Sequence, residues 1–362
     1  MISKIKNILF QIVAGANLTT VIIMLVLGYS DRLHPTTLPV LANAGLVFPI
    51  FIIINLTFLA FWVIFRFRFI LISLLGFIAC FMPVRNYCPL NVPGTMPDST
   101  FKVLSYNVWM YASSEYPGYD NPILQYIAGQ EADIACLQEA APSAIGQKTI
   151  EKTIYPVYQY RDTLMKGNSG TVLAFFSKHP IIKKQRIDFE STGNMAGAVW
   201  LDVDGDTIIV VNVHFETTSL TDADKAHFKQ MVKGDYASDS VETTSRQLYG
   251  KLKESTFRRA PQAEAVAQFI EQHIDQTIIC CGDFNDCPNS YAHYTISKKL
   301  TDCYVATGNG PGISYHKGGF YVRIDNIFCS ADLEPARCLV DDKIAASDHY
   351  PIVCWLKKGG KP

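Results

Sequence analysis

Charge is almost missing from the first quarter of this chain, and that constrains its fold more than any other feature. Residues 1–90 hold six basic side chains (Lys4, Lys6, Arg32, Arg66, Arg68, Arg85) and one acid, Asp31. Three apolar stretches fill the region: Ile8 to Gly28, Leu38 to Phe65 and Phe69 to Val84. About 20 apolar residues in a helix cross a bilayer core, so the first two are long enough and the third is marginal. Pro49 starts or kinks the second stretch, which a membrane helix tolerates. Lys4 and Lys6 would also suit a cleaved export signal. No small-residue cleavage site follows Leu27, however, and two more apolar stretches come after it, which favours retained helices. The expectation is a three-helix transmembrane anchor over 1–84, touching the lipid bilayer through residues 8–84.

Basic residues orient such an anchor. Lys4 and Lys6 precede the first stretch and Arg66 and Arg68 separate the second from the third, so both groups are expected in the cytoplasm. Three spans starting inside carry the remaining chain to the extracytoplasmic side, in an integral, multi-pass protein. Residues 85–100 (RNYCPLNVPGTMPDST) hold three prolines and read as a semi-extended linker. From Phe101 to Lys357 short apolar strands alternate with turn clusters, a stretch large for one domain but not excessive. After the first 90 residues come 26 basic and 32 acidic side chains. That balance excludes a disordered chain and a strongly basic nucleic-acid coat protein.

The chemistry sits where apolar runs stop. Lys102–Tyr106 ends at Asn107, Asp133–Gln138 at Glu139, Thr207–Val213 at His214, and Thr277–Cys281 at Gly282, followed by Asp283-Phe284-Asn285. Asp325 opens IDNIFC, and Asp348-His349 precede YPIVCWL. Runs of this length and composition are buried strands, and active groups collect on the loops such a scaffold holds. These residue types suit hydrolysis of a phosphate ester. Mg²⁺, with Mn²⁺ as a substitute, takes one or two carboxylates and leaves room for water and a phosphate oxygen. Glu139 is the leading ligand, joined by Asn107, Asp325 and Asp348 if the strands converge. Asp283 and Asn285 share one side of an extended segment, where an acid orients water and an amide contacts phosphate. His214 and His349 supply imidazoles that transfer protons or stabilise charge near neutral pH.

Each residue alone has a plainer reading. Asn107 could cap a turn, Glu139 could be a solvated helix-start acid, His214 a satisfied core histidine, and Asp283 with Asn285 an Asx turn; Asp325 could pair with Arg323 on the surface. Their joint placement at strand ends outweighs those readings.

In order, SYN (105–107), QE (138–139), NVH (212–214), GDFN (282–285), RID (323–325) and SDH (347–349) resemble the endonuclease/exonuclease/phosphatase superfamily of DNase I-like fold. The resemblance spans 101–357. It implies a four-layer α/β/β/α sandwich (α+β in composition) with the site at one edge of two packed sheets. By the family pattern Asn107 and Glu139 serve the metal, His214 and Asn285 contact the scissile phosphate, and Asp283 orients or activates water. Asp325 and Asp348 support the metal region, and His349 acts as base or transition-state stabiliser. One departure stands out: DNase-like members pair the NVH histidine with an acid on the strand around Thr171–Phe176, and none stands there.

Three functions follow as expectations: a membrane-anchored, metal-dependent phosphoesterase, acting on a phosphodiester that could belong to a lipid headgroup; an anchored nuclease; and a non-catalytic membrane assembly factor. The substrate is a phosphate ester, lipid or nucleic acid left open, with no obligate protein partner. Ten cysteines form no C-x-x-C, so zinc is disfavoured, while Cys287–Cys303 or Cys329–Cys338 could pair outside the cytoplasm. The polar segment Glu216–Ala260, with 221–233 read as helix and 234–245 as loop, is either a solvated insertion or a flap beside His214. Pro261 reads as the start of a helix burying Ala263, Val266, Ala267 and Ile270. Arg258 and Arg259 just before it are either phosphate contacts or solvated charge.

Overall fold

The computed structural model describes residues 2–97, 99–167, 171–218, 220–233 and 238–359. Alternating apolar runs of the second part form two six-stranded sheets. The strands are β1 (Phe101–Asn107), β2 (Ile134–Gln138), β3 (Tyr160–Met165), β4 (Val172–Ser177), β5 (Ile181–Ile187), β6 (Met195–Val203), β7 (Asp206–His214), β8 (Thr277–Asp283), β9 (Thr301–Asp302), β10 (Asp325–Cys329), β11 (Leu333–Val340) and β12 (Ile352–Lys358). One sheet runs β11-β12-β1-β2-β4-β3 and the other β5-β6-β7-β8-β10-β9. In each, one central pair is parallel, β1 with β2 and β7 with β8, so both pairs end at the same edge.

Side chains of a strand alternate between faces, and here both faces are buried. Val103, Val210 and Ile279 point between the sheets, with Cys136, Phe175 and Ile327. Their neighbours Leu104, Val211 and Ile278 point outward. Leu104 meets Ile123, Leu124 and Ile127 of the helix Pro122–Gln130. Val211 and Ile278 meet Ala263, Val266 and Ile270 of a long helix, Ser238–Gln272. Helix, sheet, sheet, helix: this is the four-layer sandwich. Between the sheets one polar stitch lies just beneath the edge: Gln138 Nε2 donates to Asn212 Oδ1 at 2.7 Å, and Asn212 Nδ2 to the Leu137 carbonyl at 3.1 Å.

Three local expectations change. The helix Ser238–Gln272 runs through Pro261 rather than starting there, and its first turns occupy 238–245, read above as loop. Residues 234–237 of that expected loop lie outside the described residues. The proline forgoes one backbone hydrogen bond, but the apolar face after it continues unbroken into the core. Residues 222–233 are helical as expected. All ten cysteines are free thiols, so neither expected pairing is present.

The N-terminal region forms helices Ile2–Gly28 and Phe48–Phe65, then Ile70–Ala79 and Phe81–Tyr87. Two segments, Lys4–Arg32 and Phe48–Phe65, are long and apolar enough to cross a membrane; a third exists if Phe67–Ala79 and Phe81–Tyr87, bent by 67°, are one span. The expected third stretch is thus broken at Cys80. The helices turn Ile8, Ile12, Ile53, Ile64, Leu75 and Ile78 outward and keep a polar knot inside. Asn17 Oδ1 accepts from Trp62 Nε1 at 2.9 Å and Ser73 Oγ at 3.0 Å, and Asn17 Nδ2 donates to Asn55 Oδ1 at 3.1 Å. One side chain therefore ties three helices together, as polar residues do in lipid.

Candidate active site

Register brings the polar strand ends together. His214 faces Asp283 across the parallel β7–β8 pair, and Asp325 faces Asp283 across β8–β10. From the other sheet come Asn107 at the end of β1 and Glu139 just past β2. Gly282 makes the approach of β7 and β8 feasible. Its φ is +136°, and a Cβ there would lie 2.0 Å from the Val213 carbonyl oxygen. Glu139 and Asn285 follow their strands with φ of 53° and 51°, a left-handed step that costs a non-glycine residue about 1 kcal/mol or more.

Asp283 is the hub. Its Oδ2 accepts from Asn107 Nδ2 at 3.0 Å, across the two sheets, and from Asn285 Nδ2 at 3.2 Å. The Nε2 atoms of His214 and His349 lie 3.6 and 3.7 Å from the same oxygen. Its Oδ1 accepts from the Asn285 backbone at 2.8 Å. The Asx turn and the site are therefore one structure. Asn107 likewise does both jobs: its Oδ1 accepts from Trp109 N at 3.1 Å while Nδ2 reaches Asp283 and, at 3.3 Å, Glu139 Oε1. Glu139 Oε1 in turn lies 3.7 Å from His214 Nε2. His349 Nδ1 is 2.8 Å from Asp325 Oδ2, so Asp325 pairs with this histidine and not with Arg323. Asp348 lines the same cleft, its Oδ1 3.5 Å from Ser347 Oγ. All eight residues singled out from the sequence meet at one edge.

Burial shapes their protonation. Desolvation raises Glu139 and lifts Asp283 to about 6, opposed in both cases by the charge of His349. Desolvation lowers His214, which is neutral. Burial also acts to lower His349, but the carboxylates of Asp325 and Asp283 outweigh it and hold that imidazole at about 10, hence charged. Among the described residues neither ring nitrogen of His214 has a hydrogen-bond partner, and Asp325 Oδ1 is buried without one.

This donor set fits a divalent cation. Carboxylate oxygens of Asp283 and Asp325 lie within 4.8 Å of each other and of a His349 ring nitrogen, the two acids offering the ligands and the charged imidazole lying beside them. Glu139 and Asp348 border the same space, and the orphaned Asp325 oxygen is the kind of group a cation satisfies.

Several supports carry no signal in the sequence pattern. Ser314 Oγ accepts from the backbone of Ile324 and Asp325 at 2.9 and 3.0 Å, and Ser347 Oγ donates to the Asn107 carbonyl at 2.8 Å. Lys225 Nζ donates to Tyr315 Oη at 2.7 Å, and the Tyr315 ring stands edge-on to His349. Arg259 borders the cleft and is not a solvated charge. It is buried, with Nε 3.0 Å from Asp286 Oδ2 and Nη1 donating to the Glu216 carbonyl. Arg258 is exposed and pairs with Glu254 at 2.6 Å.

Two sheets with a joint acid–histidine–amide edge define a phosphate-ester hydrolase type of scaffold. The chain belongs to the Endonuclease/Exonuclease/phosphatase family, whose profile matches residues 104–349. Residues 10–87 match a second family, described as a domain of unknown function. No curated protein sequence matches. Among solved structures, a humanized D. rerio TDP2 superposes with a TM-score of 0.51 at 15% identity, covering 72% of this chain and 99% of that one. An endonuclease/exonuclease/phosphatase from Bacteroides vulgatus gives 0.51 at 15%, covering 72% and 100%. The human Nocturnin catalytic domain gives 0.51 at 16%, covering 72% and 94%. At these identities the likeness is one of fold.

Proposed function

We propose that this protein is a membrane-anchored hydrolase of phosphoric esters, a phosphodiester above all, using Mg²⁺ with Mn²⁺ as a substitute. The observation that supports it is the meeting of Asn107, Glu139, His214, Asp283, Asn285, Asp325, Asp348 and His349 at one open edge. Glu139, Asp325 and Asp348 would hold the cation, with Asn107 beside them and Asp283 in reach. When bound, it neutralises charge on the phosphate and favours a hydroxide-like nucleophile.

The chain's own groups do the rest. Asp283, poised near neutrality, orients a water and takes its proton as the new P–O bond forms. The ester P–O bond opposite breaks, and the leaving oxygen takes a proton from solvent in the open cleft. Neutral His214 and Asn285 Nδ2, once turned from the Phe215 carbonyl that it meets at 2.9 Å, donate to phosphate oxygens, while charged His349, fixed by Asp325, offsets the growing negative charge. The anchor supports a location at a membrane, with the basic ends Lys4, Lys6, Arg66 and Arg68 in the cytoplasm and the catalytic part outside.

The full chain with Mg²⁺ should release nitrophenol from bis-p-nitrophenyl phosphate, and EDTA or Asp283→Asn should abolish it. Degradation of plasmid DNA far faster than any other ester would make it an anchored nuclease instead. No turnover on any phosphate ester would favour a non-catalytic membrane factor. Labelling of Cys88 by an impermeant maleimide only after permeabilisation would reverse the sidedness.

A further inference from the structure

The catalytic cleft, about 210 Å³, is not closed by the catalytic domain alone. Asn43 and Leu46, from the segment joining the first two N-terminal helices, form part of its wall, facing Glu139, Asp283, Asn285 and His349. That segment is built into place. Thr256 Oγ1 donates to Asn43 Oδ1 at 2.8 Å, and Tyr249 Oη to the Pro39 carbonyl at 2.9 Å. At Gly45 the backbone comes so near the 287–289 turn that a Cβ would lie 2.2 Å from the Asn289 carbonyl oxygen. The cleft also has two characters. Beside the charged cluster, Lys225, Arg259 and two threonines, six apolar side chains line it: Leu46, Leu220, Leu252, Phe320, Val322 and Ile324. A phosphate ester with a small polar substituent would leave that apolar wall wet, whereas one bearing a hydrocarbon chain would cover it.

Position says where such an ester comes from. Leu46 lies two residues before Phe48, the first residue of an 18-residue candidate span. Two residues reach at most about 7 Å, roughly the thickness of one headgroup layer. With Phe48–Phe65 read as a membrane span, the cleft wall would stand at the height of lipid headgroups. Asn43 Nδ2, buried with no hydrogen-bond partner among the described residues, adds a donor to that wall.

We infer that the 38–47 segment is a substrate-binding part of the active site, and that the cleft selects phosphate esters carrying an apolar chain, drawn from the bilayer. This rests on the proposed hydrolase reading. Each methylene buried against such a wall is worth about a fourfold gain in kcat/KM.

The test uses the full chain held in amphipol and a series of methyl, butyl and octyl p-nitrophenyl phosphate, all below their micellar concentrations. The inference predicts kcat/KM rising at least tenfold from methyl to octyl, and a preference that shrinks severalfold in both Leu46→Ser and Leu252→Ser. The octyl/methyl ratio within one preparation cancels any fraction of unfolded protein, and the second variant stands if the first does not fold. Turnover without chain-length preference, or a preference unmoved in both variants, overturns the inference and leaves the hydrolase intact. No turnover of any member overturns the hydrolase reading and the inference with it.

Discussion

Gly282→Ala isolates the geometric heart of the site. The added Cβ would lie 2.0 Å from the Val213 oxygen and 2.8 and 2.9 Å from its nitrogen and carbonyl carbon, where contacts do not fall below 3.0 Å. These are backbone atoms, so no rotamer change relieves them; β7 and β8 must part by about 1 Å beside His214 and Asp283. A displacement of that size at reacting groups costs on the order of 100-fold in rate. The φ of +136° adds about 1–3 kcal/mol of strain for any residue with a side chain. Gly205→Ala separates the two effects, because Gly205 has φ +90°, open space around it, and sits at the far β6–β7 turn. Both variants should lose thermal stability, but only Gly282→Ala should lose about 100-fold in kcat/KM on bis-p-nitrophenyl phosphate. A Gly282→Ala protein with wild-type turnover would refute the reasoning.

Two further outcomes concern stability. Asn17→Ala removes three interhelical hydrogen bonds and should cost the helical bundle about 2 kcal/mol, read as earlier unfolding of the full chain in an SDS titration; the outward-facing Ile12→Ala is the control. Asp302 is buried, with Oδ2 2.8 Å from His293 and 4.0 Å from Arg323, and these partners hold it below its ordinary value of 3.8 despite the opposing effect of burial. Its depressed value means the stabilisation is present at neutral pH and is lost as pH falls through the folded-state value. Asp302→Asn should therefore destabilise by about 3 kcal/mol at pH 7, with the gap to wild type closing in acid, as checked by denaturant unfolding across pH.

Much of the site was legible because strand periodicity and strand-end chemistry are local. A buried run such as TIIVVNV declares itself, and the residue after it falls at a sheet edge. The G-D-F-N run was legible for the same reason, although its glycine acts through Val213, a contact no local pattern shows. Arg259 was ambiguous because its partners, Asp286 and the Glu216 carbonyl, are distant in sequence. The helix through Pro261 was missed because proline favours a helix start, while packing of Ala263, Val266 and Ile270 outweighs one lost backbone bond. Ser314 and Ser347 bond backbone groups far along the chain, and nothing around Asn43 and Leu46 marks them as cleft wall. In each case tertiary contacts decide the outcome.

The central claim is that separate strand ends hold one divalent cation against one phosphate ester. Anomalous diffraction from the full chain crystallised with Mn²⁺ and a non-hydrolysable phosphate ester tests it most directly. The account predicts manganese at about 2.0–2.3 Å from carboxylate oxygens among Glu139, Asp283, Asp325 and Asp348, with the phosphate within hydrogen-bond reach of His214 and Asn285. Manganese bound elsewhere, with that edge unoccupied and the ester absent, would contradict it.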